Sequence, residues 1–317
     1  MRLARGLGTS AFAIGPALAL GLVSACGPSL GQTSADIGAD AGAGDAAAHD
    51  WIDIGVDGGC TDGRLPLIVD TQSTSIGTAP LRLFVPALYQ SDPTVFLLDT
   101  GSVRTFLHEP LQDGATSPDE GFVPDAGTVV LACQALTLDG LGVAGSPGVD
   151  GKPCVGTLGD DRLLGRPVKL DFQSGQVVWN EPGTCFPEAE SWPSAAYDRP
   201  RGYVRLHDVA LDGTPVKLLV DTGSPDSLWL GQDGRPGDRE IEGEDAEGGT
   251  VKMYLGTVEV TIGDFQETVP VYRVPHFPYI ERLAHDLGGN VDGLFGLSAF
   301  RHGIVFDTDE RVVRVAP

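Results

Sequence analysis

The sequence predicts an all-β, bilobal protein whose two lobes repeat one plan, and three observations carry that prediction. Glycine and proline number 44 and 23 in 317 residues, about a fifth of the chain, which favours many turns and short strands over long helices. Asp-Thr-Gly-Ser occurs twice, at Asp99–Ser102 and Asp221–Ser224, each time directly after an apolar run. Downstream of each copy a second motif also repeats: an apolar run ends in a glycine, Gly159 or Gly296, and leads into a hairpin pattern. Hydrophobic residues at 41% allow a packed core and exclude a wholly disordered chain. A net charge of −23 repels phosphate backbones, so nucleic acid is excluded as a partner. The same acidity keeps a solvated surface soluble.

From the N-terminus, residues 1–25 carry Arg2 and Arg5, then an apolar stretch from Ala11 to Val23, then small residues. That is the layout of a secretory signal, and the stretch is too short and too broken by Gly and Pro for a good spanning helix. Val23-Ser24-Ala25-Cys26 resembles the bacterial lipoprotein box. The resemblance implies cleavage before Cys26, lipidation of that cysteine and export to a membrane surface. Gly27 in place of Asp implies the outer membrane. Residues 26–58 open with a Gly/Ala/Asp/Ser-rich stretch that reads as a flexible tether. Two lobes follow, expected at 59–190 and 191–317. Four cysteines remain, Cys60, Cys133, Cys154 and Cys185, an even number in an exported chain, which argues for two disulfides. Three connectivities are possible. The preferred pair is Cys133–Cys154, within one subdomain, with Cys60–Cys185 flanking it. No Cys-x-x-Cys pair and no His-Glu-x-x-His spacing occurs, so neither a metal nor a cofactor is expected.

The repeats align in order. VFLLDTGSVRTFL at 95–107 matches KLLVDTGSPDSLWL at 217–230, which puts Asp99 and Asp221 122 residues apart. Each copy is preceded by a hairpin-like lead-in, and Asp212-Gly213 marks a tight turn in the second. GTLGDDRLLGRPVKLDFQSGQVVW at 156–179 matches GLFGLSAFRHGIVFDTDERVVRV at 293–315. Short helices are expected near Asp161–Leu164, Ser298–Arg301 and Tyr279–Asp286.

A single Asp-Thr-Gly is a common turn or helix-cap sequence. Two copies, each after a buried-strand pattern and each followed by an apolar-apolar-Gly motif, resemble the aspartic peptidases of the pepsin and retropepsin families. The resemblance covers residues 65–185 and 199–317, and the short halves look like two retropepsin-like units fused in one chain. It implies pepsin/retropepsin-like closed barrels related by a pseudo-two-fold axis, acting as a monomer that is an intramolecular pseudo-dimer. It also implies an aspartic endopeptidase acting on a peptide or protein substrate. In pepsins a tyrosine sits on the flap over the cleft. The candidate flap of the first half, Asp113–Thr128, has none, while the second, residues 242–250, is Gly-rich like retropepsin flaps.

The chemistry can be argued from the residues as well. An axis between two similar units brings one loop from each together, so Asp99 and Asp221 would meet. Gly101 and Gly223 remove side chains where the backbones approach. Thr100 and Thr222 carry hydroxyls able to bond across the axis. Ser102, Ser224 and the two threonines are expected to supply donors around the loops. Two adjacent carboxyls cannot both ionise, so the pair shares a proton; aspartic proteases are themselves the standing example of this behaviour. One then serves as base toward water and the other as acid toward the scissile carbonyl. A phosphoryl-transfer aspartate would need a second Asp two residues on, where Gly101 and Gly223 stand. Trp229 is expected to pack in the core beneath its loop. The competing reading keeps the same fold as a catalytically silent peptide-binding or structural surface lipoprotein.

Overall fold

A computed structural model of the chain describes residues 63–74, 77–109, 123–131, 134–142, 148–181, 183–184, 186–244, 250–289 and 291–317. The signal segment, Cys26, the tether, Cys60, Cys133 and Cys185 lie outside the described residues, and both expected disulfides with them. Cys154 is buried on a strand, its Sγ directed at Gly156 O at 3.5 Å.

In chain order, β1 (Arg64–Pro66) and β2 (Ile68–Thr74) precede the long β3 (Gly77–Tyr89), which turns back into β4 (Asp92–Leu98). The turn residues Gln90 and Ser91 both have positive φ, 53° and 73°, the geometry whose twist suits a two-residue hairpin. β5 (Phe106–Glu109), β6 (Val123–Leu131), β7 (Gln134–Gly142) and β8 (Cys154–Leu158) follow. Then come α1 (Asp160–Leu163) and the hairpin of β9 (Val168–Asp171) and β10 (Gln176–Trp179). The second half opens with β11 (Ser194–Asp198), β12 (Arg205–Leu211) and β13 (Thr214–Val220), the last two joined by the expected Asp212-Gly213 turn at φ 48° and 75°. β14 (Leu228–Leu230), β15 (Arg239–Glu244), β16 (Thr250–Ile262) and β17 (Phe265–Val274) lead to α2 (Pro278–Asp286). β18 (Gly293–Phe295) and the hairpin of β19 (Gly303–Asp307) and β20 (Val312–Val315) end the chain.

The protein is mostly β and contains two closed six-stranded barrels. In the first the order is β3-β4-β8-β5-β7-β6, closed by pairing of β6 with β3. In the second it is β12-β13-β18-β14-β17-β16, closed by β16 on β12. Closure removes the unpaired strand edges that an open sheet of this length would expose. A further run, β1-β10-β9-β19-β20-β11, links the halves through the antiparallel pairing of β9 with β19, where Val168 faces Phe306. The two repeated hairpins of the sequence therefore meet edge to edge. Each is turned by an aspartate: Asp171 Oδ1 accepts from Gln173 N and Ser174 N, and Asp307 Oδ1 from Asp309 N and Glu310 N.

Of the three expected helices, the first and third form as α1 and α2; the second is a single 3-10 turn at Leu297–Ala299. Pro278 opens α2, where its missing N–H would have lacked a helical partner anyway. Among the described residues no helix is long and apolar enough to cross a membrane.

One apolar cluster runs through both barrels and the linking sheet, from Leu83 and Phe96 through Val168 and Leu170 to Phe295 and Phe306. The halves should accordingly unfold together. Phe306→Ala removes a fully buried ring at the seam and should lower stability by about 3–5 kcal/mol while leaving one cooperative transition. Denaturant unfolding followed by circular dichroism and fluorescence checks this. Two separated transitions in the native protein would contradict the shared core.

Candidate active site

β4 and β13 end in Val95-Phe96-Leu97-Leu98 and Leu218-Leu219-Val220, all buried. Both strands lie between two hydrogen-bonded neighbours and are covered on both faces, which explains continuous apolar runs instead of alternation. Asp99 and Asp221 are the next residues. Asp99 N donates to Leu158 O at 3.0 Å and Asp221 N to Phe295 O at 3.1 Å, so each aspartate is pinned to the last residue of the strand that leads into Gly159 or Gly296.

The two loops hold each other. Thr100 N donates to Thr222 Oγ1 at 3.0 Å, and Thr222 N donates to Thr100 Oγ1 at 3.1 Å. Thr100 Oγ1 in turn donates to Val220 O at 3.0 Å, and Thr222 Oγ1 to Leu98 O at 3.1 Å. Four buried bonds thus run between the halves, and each hydroxyl both gives and receives. The glycines are there because the carboxyls come so close. A Cβ on Gly101 would stand 2.5 Å from Asp221 Oδ1, and one on Gly223 would stand 2.5 Å from Asp99 Oδ1.

Both aspartates are fully buried. Gly101 N donates to Asp99 Oδ1 at 2.7 Å; Gly223 N and Ser224 N donate to Asp221 Oδ1 at 3.0 and 3.1 Å. The two carboxyls act on each other's proton affinity, as groups packed this closely must. Each Oδ2 is buried without a hydrogen-bond partner. Burial pushes both groups above the ordinary carboxylate range, Asp221 well above it. The adjacent Asp99 charge pushes Asp221 further, and the backbone amides oppose the rise in both. Such a pair titrates as a unit. The arrangement can hold one exchangeable proton on two buried carboxyls, each with an Oδ2 that no protein group engages.

The structure brings Asp99, Thr100, Gly101, Ser102, Asp221, Thr222, Gly223 and Ser224 together, with Gly159 and Gly296 directly behind. Backbone contacts show why both second-motif residues are glycine: a Cβ on Gly159 would stand 2.7 Å from Ser102 O, and one on Gly296 would stand 2.8 Å from Ser224 O. The donors differ from expectation. The threonine hydroxyls are engaged between the loops, and Ser102 Oγ and Ser224 Oγ donate to Arg104 O and Asp226 O, at 2.8 and 2.9 Å. Backbone amides contact the carboxyls instead, because the loops curl tightly enough to point successive N–H groups inward.

Trp229 is in the core, 3% exposed, with the guanidiniums of Arg235 and Arg273 over its ring. Of the candidate flaps, residues 113–122 and 245–249 lie outside the described residues; β15 and β16 form the stem of the second, Glu244 facing Thr250.

Thr105 and Ser227 were not picked out from the sequence. Gly159 N donates to Thr105 Oγ1 at 3.0 Å, and Gly296 N to Ser227 Oγ at 3.1 Å. Each stands at the same offset from its aspartate, a repeat the aligned motifs already contain. Compared with known protein families and with curated proteins, the chain matches none.

Two outcomes follow from this geometry. Thr100→Val leaves Thr222 N and Val220 O buried without partners and should cost about 2–4 kcal/mol, one to two buried unsatisfied groups. Combined with Thr222→Val the loss should be far from additive, since the two hydroxyls belong to one network; a double-mutant cycle by chemical denaturation reads this directly. Asp221→Asn should change stability in a pH-dependent way. The folded state keeps the buried pair protonated to higher pH than the unfolded chain does. The stability this contributes is complete below the unfolded carboxylate value, about pH 4, and is lost as pH rises through the folded value. The variant should therefore gain stability over the native protein at neutral pH, the gain disappearing toward about pH 3. Thermal melts across that range measure it.

Proposed function

We propose that the protein is an aspartic endopeptidase, a hydrolase in which Asp99 and Asp221 act on an activated water. The observation that carries the reading is the buried carboxyl pair: inner oxygens held by backbone amides, Oδ2 of each without a protein partner. The reciprocal threonine bonds support a pseudo-two-fold axis between the carboxyls and a pepsin/retropepsin-like relation of the two barrels.

In this chemistry a water lies between the two Oδ2 atoms. The ionised carboxyl takes a proton from the water as its oxygen bonds to the scissile carbonyl carbon. The protonated carboxyl gives its proton to the carbonyl oxygen, and a gem-diol results. The proton taken from water then passes to the amide nitrogen as the carbon–nitrogen bond breaks, and a diol proton returns to the pair. Burial favours the step twice: it keeps one proton on the pair, and it strengthens the interactions with charge that develops on the diol. No group outside the chain is needed. In the same reading the mature protein begins at a lipidated Cys26 and stands off a bacterial membrane surface on its tether, with disulfides Cys133–Cys154 and Cys60–Cys185.

Asp99→Asn and Asp221→Asn should each abolish hydrolysis of a peptide library by the purified mature protein, and the double variant should be no worse than either. The native rate should follow a bell in pH, since activity needs one proton on the pair. A statine-type peptide should inhibit. Hydrolysis surviving in either single variant would remove the pair from the mechanism and favour the silent binding protein.

A further inference from the structure

Phe106 of β5 stands opposite Thr157 of β8, and in the second half Leu228 of β14 stands opposite Leu294 of β18. That register makes His108 the counterpart of Leu230, each on the same face of its strand as the residue before last. The second half fills this face with apolar side chains. Leu228 and Leu294 are buried in one cluster with Ile280 and Leu283 of α2, and Leu230 packs against it. The first half puts a polar pair there instead. His108 Nε2 lies 2.9 Å from Thr157 Oγ1, a diagonal contact across the two strands. Thr157 is fully buried, and the other ring nitrogen, His108 Nδ1, is buried without a hydrogen-bond partner.

An imidazole in that setting is suited only to the neutral form. The charged ring must donate from both nitrogens, and here Nε2 alone is engaged. Facing the ring are Thr157 and the Cys154 carbonyl from β8, Leu141 from β7, and Phe106 of its own strand at 5.7 Å between ring centres. Among the described residues no charged side chain bears on it. Burial lowers His108 from the ordinary 6.5 to about 4, and the Cys154 carbonyl opposes this without reversing it. The contact matters because β5 is short. Its four residues meet β8 at two register pairs, Phe106 with Thr157 and Leu107 with Gly156. β8 in turn ends in Leu158, whose carbonyl holds Asp99 N, and Thr105, just before β5, accepts from Gly159 N.

We propose that His108 and Thr157 form an acid-released latch: the neutral ring ties β5 to β8 behind the first aspartate loop, and protonation of the ring frees the strand and strips that loop of its backing. The latch acts on the first barrel alone, since Leu230 and Leu294 do not titrate. It does not depend on the peptidase reading; it confines whatever the carboxyl pair does to conditions in which the ring is neutral. The sign follows from burial. The unfolded chain takes up a proton on this residue near pH 6.5, the folded chain only near the lowered value. The stability the neutral ring protects is therefore complete above about pH 6.5, falls as pH drops toward the folded value, and levels off below it. The buried carboxyl pair runs the opposite way, its contribution growing as pH falls, so the two are separable by sign.

The test is an imidazole proton NMR titration of the mature protein, with the His108 signal assigned by its loss in His108→Gln. It is paired with amide hydrogen exchange read by mass spectrometry from about pH 7 to about pH 4, corrected for intrinsic exchange. His108 should take up its proton well below the ordinary histidine range. Protection of β5 and β8 should fall by roughly a hundredfold over that interval, while β14 and β18 keep theirs. In His108→Gln, which offers Thr157 a partner that does not titrate, the fall should vanish. A His108 midpoint near the ordinary value would overturn the proposal. So would an equal pH dependence of the two strand pairs, or a fall in His108→Gln as steep as the native one. Should the variant not fold, the two strand pairs of the native protein decide alone: a selective loss in β5 and β8 supports the latch, and an equal or absent loss refutes it.

Discussion

Everything at the centre of this protein depends on the exchange of hydrogen bonds between Thr100 and Thr222. Each hydroxyl accepts from the opposite backbone amide and donates to the carbonyl at the end of the opposite apolar strand. Buried backbone groups must find partners, and for the amides of Thr100 and Thr222 the partners come from the other half. The exchange therefore fixes the separation and the facing of the loops at once. Once it is made, Asp99 and Asp221 have nowhere to go but against each other, and the residues beside them can only be glycine.

The surrounding architecture serves that contact. In each barrel the strand entering the aspartate loop and the strand leaving it both pair with a third strand, β8 or β18, so three segments distant in sequence converge behind one carboxyl. The glycine that follows the third strand lets the loop carbonyls approach, and a hydroxyl, Thr105 or Ser227, satisfies its amide. The linking sheet and the continuous core then resist sliding of one barrel against the other. A carboxyl pair that must share one proton needs this rigidity, because its proton affinity changes steeply with separation in a low dielectric.

The halves are alike in frame and unlike in charge. Asp160 stands where the other half has Leu297, and Arg104 where the other half has Asp226. A duplicated scaffold keeps what both loops need, the threonine, the glycines and the hydroxyl behind them, while each half remains free to vary what surrounds the carboxyls. Such differences give two aspartates of identical motif unlike surroundings.

Much of this was written in the order of residues. The repeated Asp-Thr-Gly-Ser and apolar-apolar-Gly motifs, the Asp212-Gly213 turn and the two terminal hairpins are local signals. They determined the strand content, the duplication, and the residues that meet, because period, turn chemistry and repeat spacing are properties of short segments. Closure of the barrels, the pairing of β9 with β19 and the source of the carboxyls' donors were decided only in three dimensions. The serine and threonine hydroxyls were natural candidates for those donors. The curl of the loops assigned that work to backbone amides, which carry no side-chain signal. Nothing in the order of residues sets Asp160 apart in a chain of net charge −23. Only the fold buried it behind Ser102 and brought Arg199 of the other half to 3.6 Å from its Oδ2, since burial and long-range proximity are set by the whole fold and not by neighbours in sequence.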